Sequence, residues 1–222
     1  MILRSLIRLL LFILLLAAFL FIPAGRLDWY AAWALLAYYT VFMLITLFLV
    51  DPELIEERTH LKPGAKRWDF VLVGLVIFFL FPAVFIVAGL DAGRFHWSPP
   101  FPVWLQAFAF IVLAVASAVQ TWAMVTNKFF SSFVRIQKER GHYVVTGGPY
   151  HYVRHPGYTG MILVSISIPI LLGSLWALIP AVIGDIILII RTVLEDETLK
   201  NELDGYREYA SQVRYRLLPG VW

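Results

Sequence analysis

"YTGMILVSISIPILLGSLWALIPAVIGDIILIIRTVL", residues 158–194, decides the fold. It holds two apolar runs, Tyr158 to Leu172 and Leu175 to Leu194, separated only by Gly173 and Ser174. A membrane-spanning helix takes about 20 residues, so the second run is long enough and the first is short. Joined this closely, the two form a tight helical hairpin that returns the chain to the side it left. Four more apolar runs precede them: Leu9 to Ile22, Trp29 to Val50, Phe70 to Leu90 and Val103 to Thr126. The chain is 60% hydrophobic and 16% aromatic but only 15% charged, with a mean hydropathy of +0.78. An ordinary soluble domain is about 25% charged. The expected fold is therefore all-α: a polytopic membrane helix bundle of about six membrane helices, the last two a tight hairpin, followed by a cytoplasmic C-terminal helical segment. No repeat or low-complexity linker divides the 222 residues. They read as a single membrane domain, with four membrane helices in residues 1–126 and the chemistry in residues 127–222.

Charge sets the orientation. With six crossings, 16 of the 18 Lys and Arg residues fall on one side, and only Arg26 and Arg94 on the other. Basic residues collect on the cytoplasmic side, so both termini are expected there. Trp29, Trp33, Trp97, Trp104 and Trp176 then lie near the outer boundary, as an aromatic belt does. Arg4 and Arg8 before an apolar stretch, with small residues near Ala24 and Gly25, also fit a secretory signal. Cleavage there would leave the Trp29 helix starting outside all the same. The chain has no cysteine, which excludes disulfides, thiolate nucleophiles and Cys-ligated metals; no metal site is expected. A net charge of +3 gives no reason to expect nucleic acid as a partner. The lipid bilayer is the expected surrounding.

Polar chemistry is confined to three cytoplasmic segments. The loop Asp51 to Asp69, "DPELIEERTHLKPGAKRWD", reads as a solvated helix end closed by Pro63 and Gly64. The other two segments flank the hairpin and can meet in space. One contains "GPYHYVRHPGYTG", residues 148–160, whose prolines and glycines suit neither a lipid-facing helix nor a strand. Pro156 fits the first turn of a helix, leaving free backbone donors beside Tyr150, His155 and Tyr158, an end suited to a carboxylate. The plainer reading is a cap, with Arg154 snorkelling and His155 hydrogen-bonded in place; the density of the cluster favours a site. In the other segment Arg191 and Glu195 stand four apart on one helix face, either as a simple ion pair or as a site that holds an anion. Asp196 and Glu197 read as ordinary solvated charges.

"GHYVVTGGPYHYVRHPGYTG" followed by "RTVLED" and "GYREY" resembles the isoprenylcysteine carboxyl methyltransferase family, membrane enzymes that use S-adenosylmethionine. The resemblance covers about the last hundred residues. It implies that Gln137, His142, Tyr143, Val144, Val145, Tyr150, His155, Pro156, Gly157, Tyr158 and Glu195 line the S-adenosylmethionine pocket. It also implies that Arg191 holds the carboxylate of a lipophilic or lipidated acceptor such as a prenylated cysteine, with Arg191 and Glu195 as the catalytic pair. Asp196 stands where the family often has a second Glu, and Gly157 occupies a variable position. Two other readings stay open at this point. One is an NADPH-dependent membrane reductase of the sterol reductase kind, for which Lys138, Arg140 and Arg154 would take the 2′-phosphate. The other is a phospholipid or amine N-methyltransferase. A channel finds little support, since Asp185 is the one charge deep in an apolar run. Ionised carboxylates need no general base to accept a methyl group, so the lack of a catalytic dyad is no objection.

Overall fold

The structure is a computed structural model that describes residues 2–59 and 63–222. Lys62, one of the charges counted above, lies outside the described residues. Nine α-helices and no strand occur among the described residues. Helix α1 (Ile2–Ala24), α2 (Tyr30–Leu49) and α6 (Val103–Thr126) follow the apolar runs. A short α3 (Pro52–Thr59) precedes the third run. That run is α4 (Arg67–Phe78) and α5 (Val84–Ala88), made continuous by π-helical turns at Phe79–Ala83 and Gly89–Phe95. Pro82 sits inside the first π turn, where local rearrangement of the ladder tolerates the missing N–H. Helix α7 (Pro156–Leu172) starts at its proline, and α8 (Leu178–Glu202) and α9 (Tyr206–Gln212) complete the chain. Among the described residues four segments are long and apolar enough to cross a membrane: Leu6–Ala24, Tyr30–Leu49, Arg67–Phe95 and Val103–Thr126. Helix α7 is shorter, at 17 residues. Helix α8 is 25 residues long but carries Asp185, Arg191 and Glu195.

The chain divides into two compact units. The first comprises Met1–Leu49, Ile77–Leu113 and Val164–Gly184. Its core includes the fully buried Leu16, Leu20, Leu35, Phe85, Leu113 and Leu172. A Cβ on Gly93 would stand 2.4 Å from that of Ala24, and one on Gly89 2.6 Å from the Leu20 carbonyl oxygen. Within lipid, helix association depends on such close approach rather than on exclusion of water. Buried Asp91 closes this unit. Its carboxylate accepts hydrogen bonds from the Ser98 N–H (2.7 Å), the Ser98 hydroxyl (2.6 Å), the Ser174 hydroxyl and the Trp176 N–H (3.3 Å). Leu175 N–H donates to Ser98 Oγ and Ala177 N–H to Ser174 Oγ. Gly173 turns the chain with φ 77°. These bonds satisfy the backbone donors of residues 175–177, and α8 begins directly after them at Leu178.

The second unit comprises Val50–Val76, Ala114–Leu163 and Asp185–Trp222. A cluster of Ala123, Tyr150, Leu203, Tyr206 and Tyr209 forms its apolar centre, fixed by the Tyr209 hydroxyl donating to the Tyr150 carbonyl at 2.6 Å. Asp51, Glu53, Glu56, Pro63 and Gly64 are exposed, as expected of a solvated Asp51–Asp69 loop, but the expectation fails at two of its carboxylates. Glu57, on α3, is buried against Arg135, which donates to it at 2.7 and 3.0 Å. Asp69, in the first turn of α4, is completely buried. Both carboxylates leave solvent because a guanidinium from a distant part of the sequence meets each of them.

Candidate active site

Residues 127–158 wrap the start of α7 as irregular chain with two 3₁₀ turns, Lys138–Arg140 and Gly148–His151. Completely buried Gln137 organises the first part. Its side chain donates to the Phe129 carbonyl (2.8 Å) and accepts from Arg140 (2.7 Å), and its N–H donates to His142 Nδ1 (3.2 Å). The His142 ring lies 4.4 Å from that of Phe129. Burial, reinforced by Arg135 and Arg140, lowers the His142 pKa to about 4, so the imidazole is neutral at physiological pH. Gly148 has φ 56°, and a Cβ there would meet Thr126 at 2.7 Å. Glycine is needed at that position for both backbone conformation and space.

The end of α8 supplies the electrostatic centre. Asp196 is fully buried, against the expectation of a solvated charge. Arg154 grips both its oxygens, at 2.7 and 2.9 Å. Lys200 (2.9 Å), Arg216 (3.0 Å), the Tyr206 hydroxyl (3.0 Å) and His155 Nε2 (3.3 Å) complete the shell. Burial alone would raise the Asp196 pKa, but His155 and Arg154 hold it well below the usual carboxylate range. Arg154 does not snorkel. Its remaining donors take the Val213 and Arg214 carbonyls, and His155 N–H bonds the Arg216 carbonyl (2.9 Å), tying the C-terminal tail to the start of α7.

A second chain of polar groups runs beside the first. Arg191 does not form the simple intrahelical pair with Glu195. Its Nε and Nη2 donate to the two oxygens of Asp69 at 2.6 and 3.0 Å, Nη2 also donates to the Ser132 carbonyl, and Nη1 donates to the Tyr158 hydroxyl. That hydroxyl in turn donates to Glu195 Oε2. Glu195 Oε1 has no partner among the described residues. Gly157 lets the Phe130 ring lie against the α7 backbone, since a Cβ there would be 2.5 Å from the ring edge. Arg58 of α3 covers the same ring, 4.9 Å from its centroid.

One cleft joins these parts. Of the residues singled out in the sequence, His142, Tyr143, Val144, Val145, Tyr150, His155, Gly157, Tyr158 and Glu195 line it. Gln137, Pro156 and Arg191 stand behind that lining: Gln137 as a loop brace, Pro156 at the first turn of α7, and Arg191 against Asp69. Phe129, Phe130, Asn127, Arg154 and Tyr206 also line the cleft and were not anticipated as lining. Their signal in the sequence was weak, a pair of phenylalanines after a membrane helix and a tyrosine in a C-terminal helix.

Residues 108–201 match the sequence model of the isoprenylcysteine carboxyl methyltransferase family. The matched stretch makes up less than half of the chain. It is 27% identical over 158 residues to the protein-S-isoprenylcysteine O-methyltransferase of Schizosaccharomyces pombe, a match that covers 65% of this chain and 64% of that protein. It is 30% identical over 78 residues to protein-S-isoprenylcysteine O-methyltransferase A of Arabidopsis thaliana, covering 35% of this chain and 36% of that protein. The similarity thus spans about a third of the plant relative and just under two thirds of the yeast one.

Proposed function

We propose that this chain is an integral membrane methyltransferase that transfers the methyl group of S-adenosylmethionine to the carboxylate of a lipid-borne acceptor such as a prenylated cysteine. What carries the reading is that the family-matched segment supplies nearly all of one cleft, from Asn127 to Tyr158 and from Glu195 to Leu199. The donor set of that cleft suits the cofactor. Glu195 keeps one carboxylate oxygen free for a hydroxyl or ammonium group, and Val144, Val145 and Phe129 offer apolar surface to a flat base. S-adenosylmethionine, when bound, supplies an electrophilic methyl; a carboxylate oxygen bonds to it as the carbon–sulfur bond breaks, the pair returns to sulfur, and no proton moves.

The chain's own residues have to orient and to exclude water. Tyr158, held between Arg191 and Glu195, fixes Glu195 beside the start of α7. Neutral His142 and Tyr150 border the side from which a polar cofactor arrives. Attraction between a carboxylate and a sulfonium strengthens as water leaves, and holding them in line supplies most of the rate. A lipid-tailed acceptor loses about 0.8 kcal/mol per CH₂ on leaving the bilayer, so it enters sideways from the membrane with only its head group reaching the cleft. The reductase reading loses ground because Arg154 is committed to Asp196, and Arg140 to Glu53 and Gln137.

Calorimetry on the purified protein in detergent tests this. S-adenosylhomocysteine is expected to bind and NADPH not to, and Glu195→Gln to weaken the former about 10- to 100-fold, the range of a charged hydrogen bond. NADPH binding in its place would reject the reading. Both termini and the cleft are placed at the cytoplasmic face on the charge asymmetry. Ser174 is buried, so the reporter for the hairpin turn is Leu175, 46% exposed. In this cysteine-free chain Leu175→Cys is expected to react with an impermeant maleimide on intact cells, and Ser211→Cys only after permeabilisation. The reverse pattern would invert the topology.

A further inference from the structure

The acceptor's carboxylate needs a cation with donors to spare, and Arg191 has few. A guanidinium has five N–H groups; Arg191 spends four hydrogen bonds on Asp69, Ser132 and Tyr158. A planar two-point grip on a further carboxylate is closed to it unless Asp69 lets go, which would leave a buried Asp69 unpaired.

Arg58 is in the opposite condition. It is partly buried on α3, yet no carboxylate pairs with it among the described residues. Its hydrogen bonding there is a single donation, Nη1 to the Phe130 carbonyl at 3.3 Å. The Phe130 ring beneath it lines the cleft and rests on Gly157. Two further contacts hold α3 in this place: the Ser132 hydroxyl donates to the Arg58 carbonyl at 2.9 Å, and Glu57 pairs with Arg135. The position is therefore built, although the charge at its end is unmatched. Burial, with Arg191 as a further cationic neighbour, pulls the Arg58 pKa below its ordinary value, opposed by Tyr158 and Tyr150. A cation held short of solvent beside another cation is stabilised by an arriving anion.

Arg58 stands behind the Phe130 ring rather than in the cleft lining, and we propose that it grips the acceptor's carboxylate at that edge, with Arg191 positioning Tyr158 and Glu195. This rests on the reading of the acceptor as a carboxylate, and it argues against an amine acceptor, which a surplus cation would repel. Because Arg58 belongs to α3, it lies outside the family-matched residues 108–201.

The test uses the full chain in detergent with N-acetyl-S-farnesylcysteine as a tailed carboxylate. Arg58→Gln is expected to raise the acceptor KM about 10- to 100-fold, the range of a charge-assisted two-point contact. It should change kcat less than about threefold, leave S-adenosylhomocysteine affinity as in wild type, and let Arg58→Lys recover part of the loss. A binding measurement without turnover adds a second readout: wild type should prefer the free acid to its methyl ester, and Arg58→Gln should lose that preference. An unchanged KM and an unchanged acid preference in Arg58→Gln would overturn the assignment, as would equal loss of cofactor binding and thermal stability, which marks a structural role. If wild type binds S-adenosylhomocysteine but does not methylate the tailed acid, the acceptor reading itself fails and Arg58 falls with it.

Discussion

Two buried aspartates, one in each unit, show two ways of keeping a carboxylate out of water. Asp91 in the first unit is surrounded by neutral donors: two serine hydroxyls and two backbone N–H groups. Asp196 in the second is surrounded by Arg154, Arg216, Lys200 and His155. Neutral donors around Asp91 make a staple: they hold a turn and end where the turn ends. Cations around Asp196 bring together the start of α7, the end of α8 and the C-terminal tail, and they leave charge at a cleft wall. The staple can be weakened without stranding another ion, but the cationic cluster cannot.

Asp196→Asn should therefore have the largest effect of any single change discussed here. It strands Arg154 in a buried place, which costs about 3–5 kcal/mol, and thermal unfolding in detergent should show a large fall together with loss of S-adenosylhomocysteine binding. Asp91→Asn removes charge but keeps an acceptor, and should cost about 1–3 kcal/mol with cofactor affinity unchanged. Equal losses from the two substitutions would erase the distinction.

Acid should also separate the units, because His142 belongs to the second. An unfolded chain protonates this histidine near its ordinary value of 6.5, whereas the folded chain holds it neutral down to about 4. Its contribution to stability is thus complete above 6.5 and is lost as pH falls from 6.5 to 4. The depressed Asp196 acts lower: its contribution is present above the ordinary 3.8 and is lost only as pH falls below that value. His142→Asn, which can still accept from the Gln137 N–H, should flatten the stability curve between 6.5 and 4 by about 1–2 kcal/mol, the full linkage value reduced for the ring's partial exposure, and leave the steeper loss below it. A curve with the same slope in that window would show that His142 does not carry it.

The sequence made the apolar scaffold legible and left the polar pairing hidden, for a physical reason. Lipid-facing length, the Gly173 turn and the Pro156 start are local properties, and the helices follow them. Arg191 and Asp69 are 122 residues apart, Arg135 and Glu57 are 78 apart, and Arg154 and Asp196 are 42 apart. No spacing rule links such pairs, so the acidic loop read as solvated and Asp196 as a surface charge. The helical spacing of Arg191 and Glu195 was real, but Tyr158 stands between them and Asp69 takes the arginine. Most residues that the resemblance assigned to a pocket do line one cleft, whereas Arg58 lay in a segment with no motif and became visible only through the Phe130 ring.

The smallest expected change in stability belongs to one member of a pair of glycines, again one in each unit. A methyl on Gly93 would meet Ala24 at 2.4 Å on its Cβ and 3.0 Å on its Cα, backbone that belongs to a packed helix. Gly93→Ala has to push two helices apart and should cost about 1–3 kcal/mol, the range for overpacking, without touching cofactor affinity. A methyl on Gly157 would clash with the edge of the Phe130 ring, at 2.5 and 2.6 Å, and touch the Ala123 Cβ at an ordinary 3.9 Å, and a ring at a cleft wall can swing. Gly157→Ala should then lower thermal stability by less than about 1 kcal/mol, yet the displaced ring carries the Arg58 contact with it and narrows the cleft. The acceptor KM should rise several-fold while unfolding hardly shifts. A Gly157→Ala protein that is strongly destabilised, with catalysis per folded molecule intact, would make Phe130 a packing residue and detach Arg58 from the site.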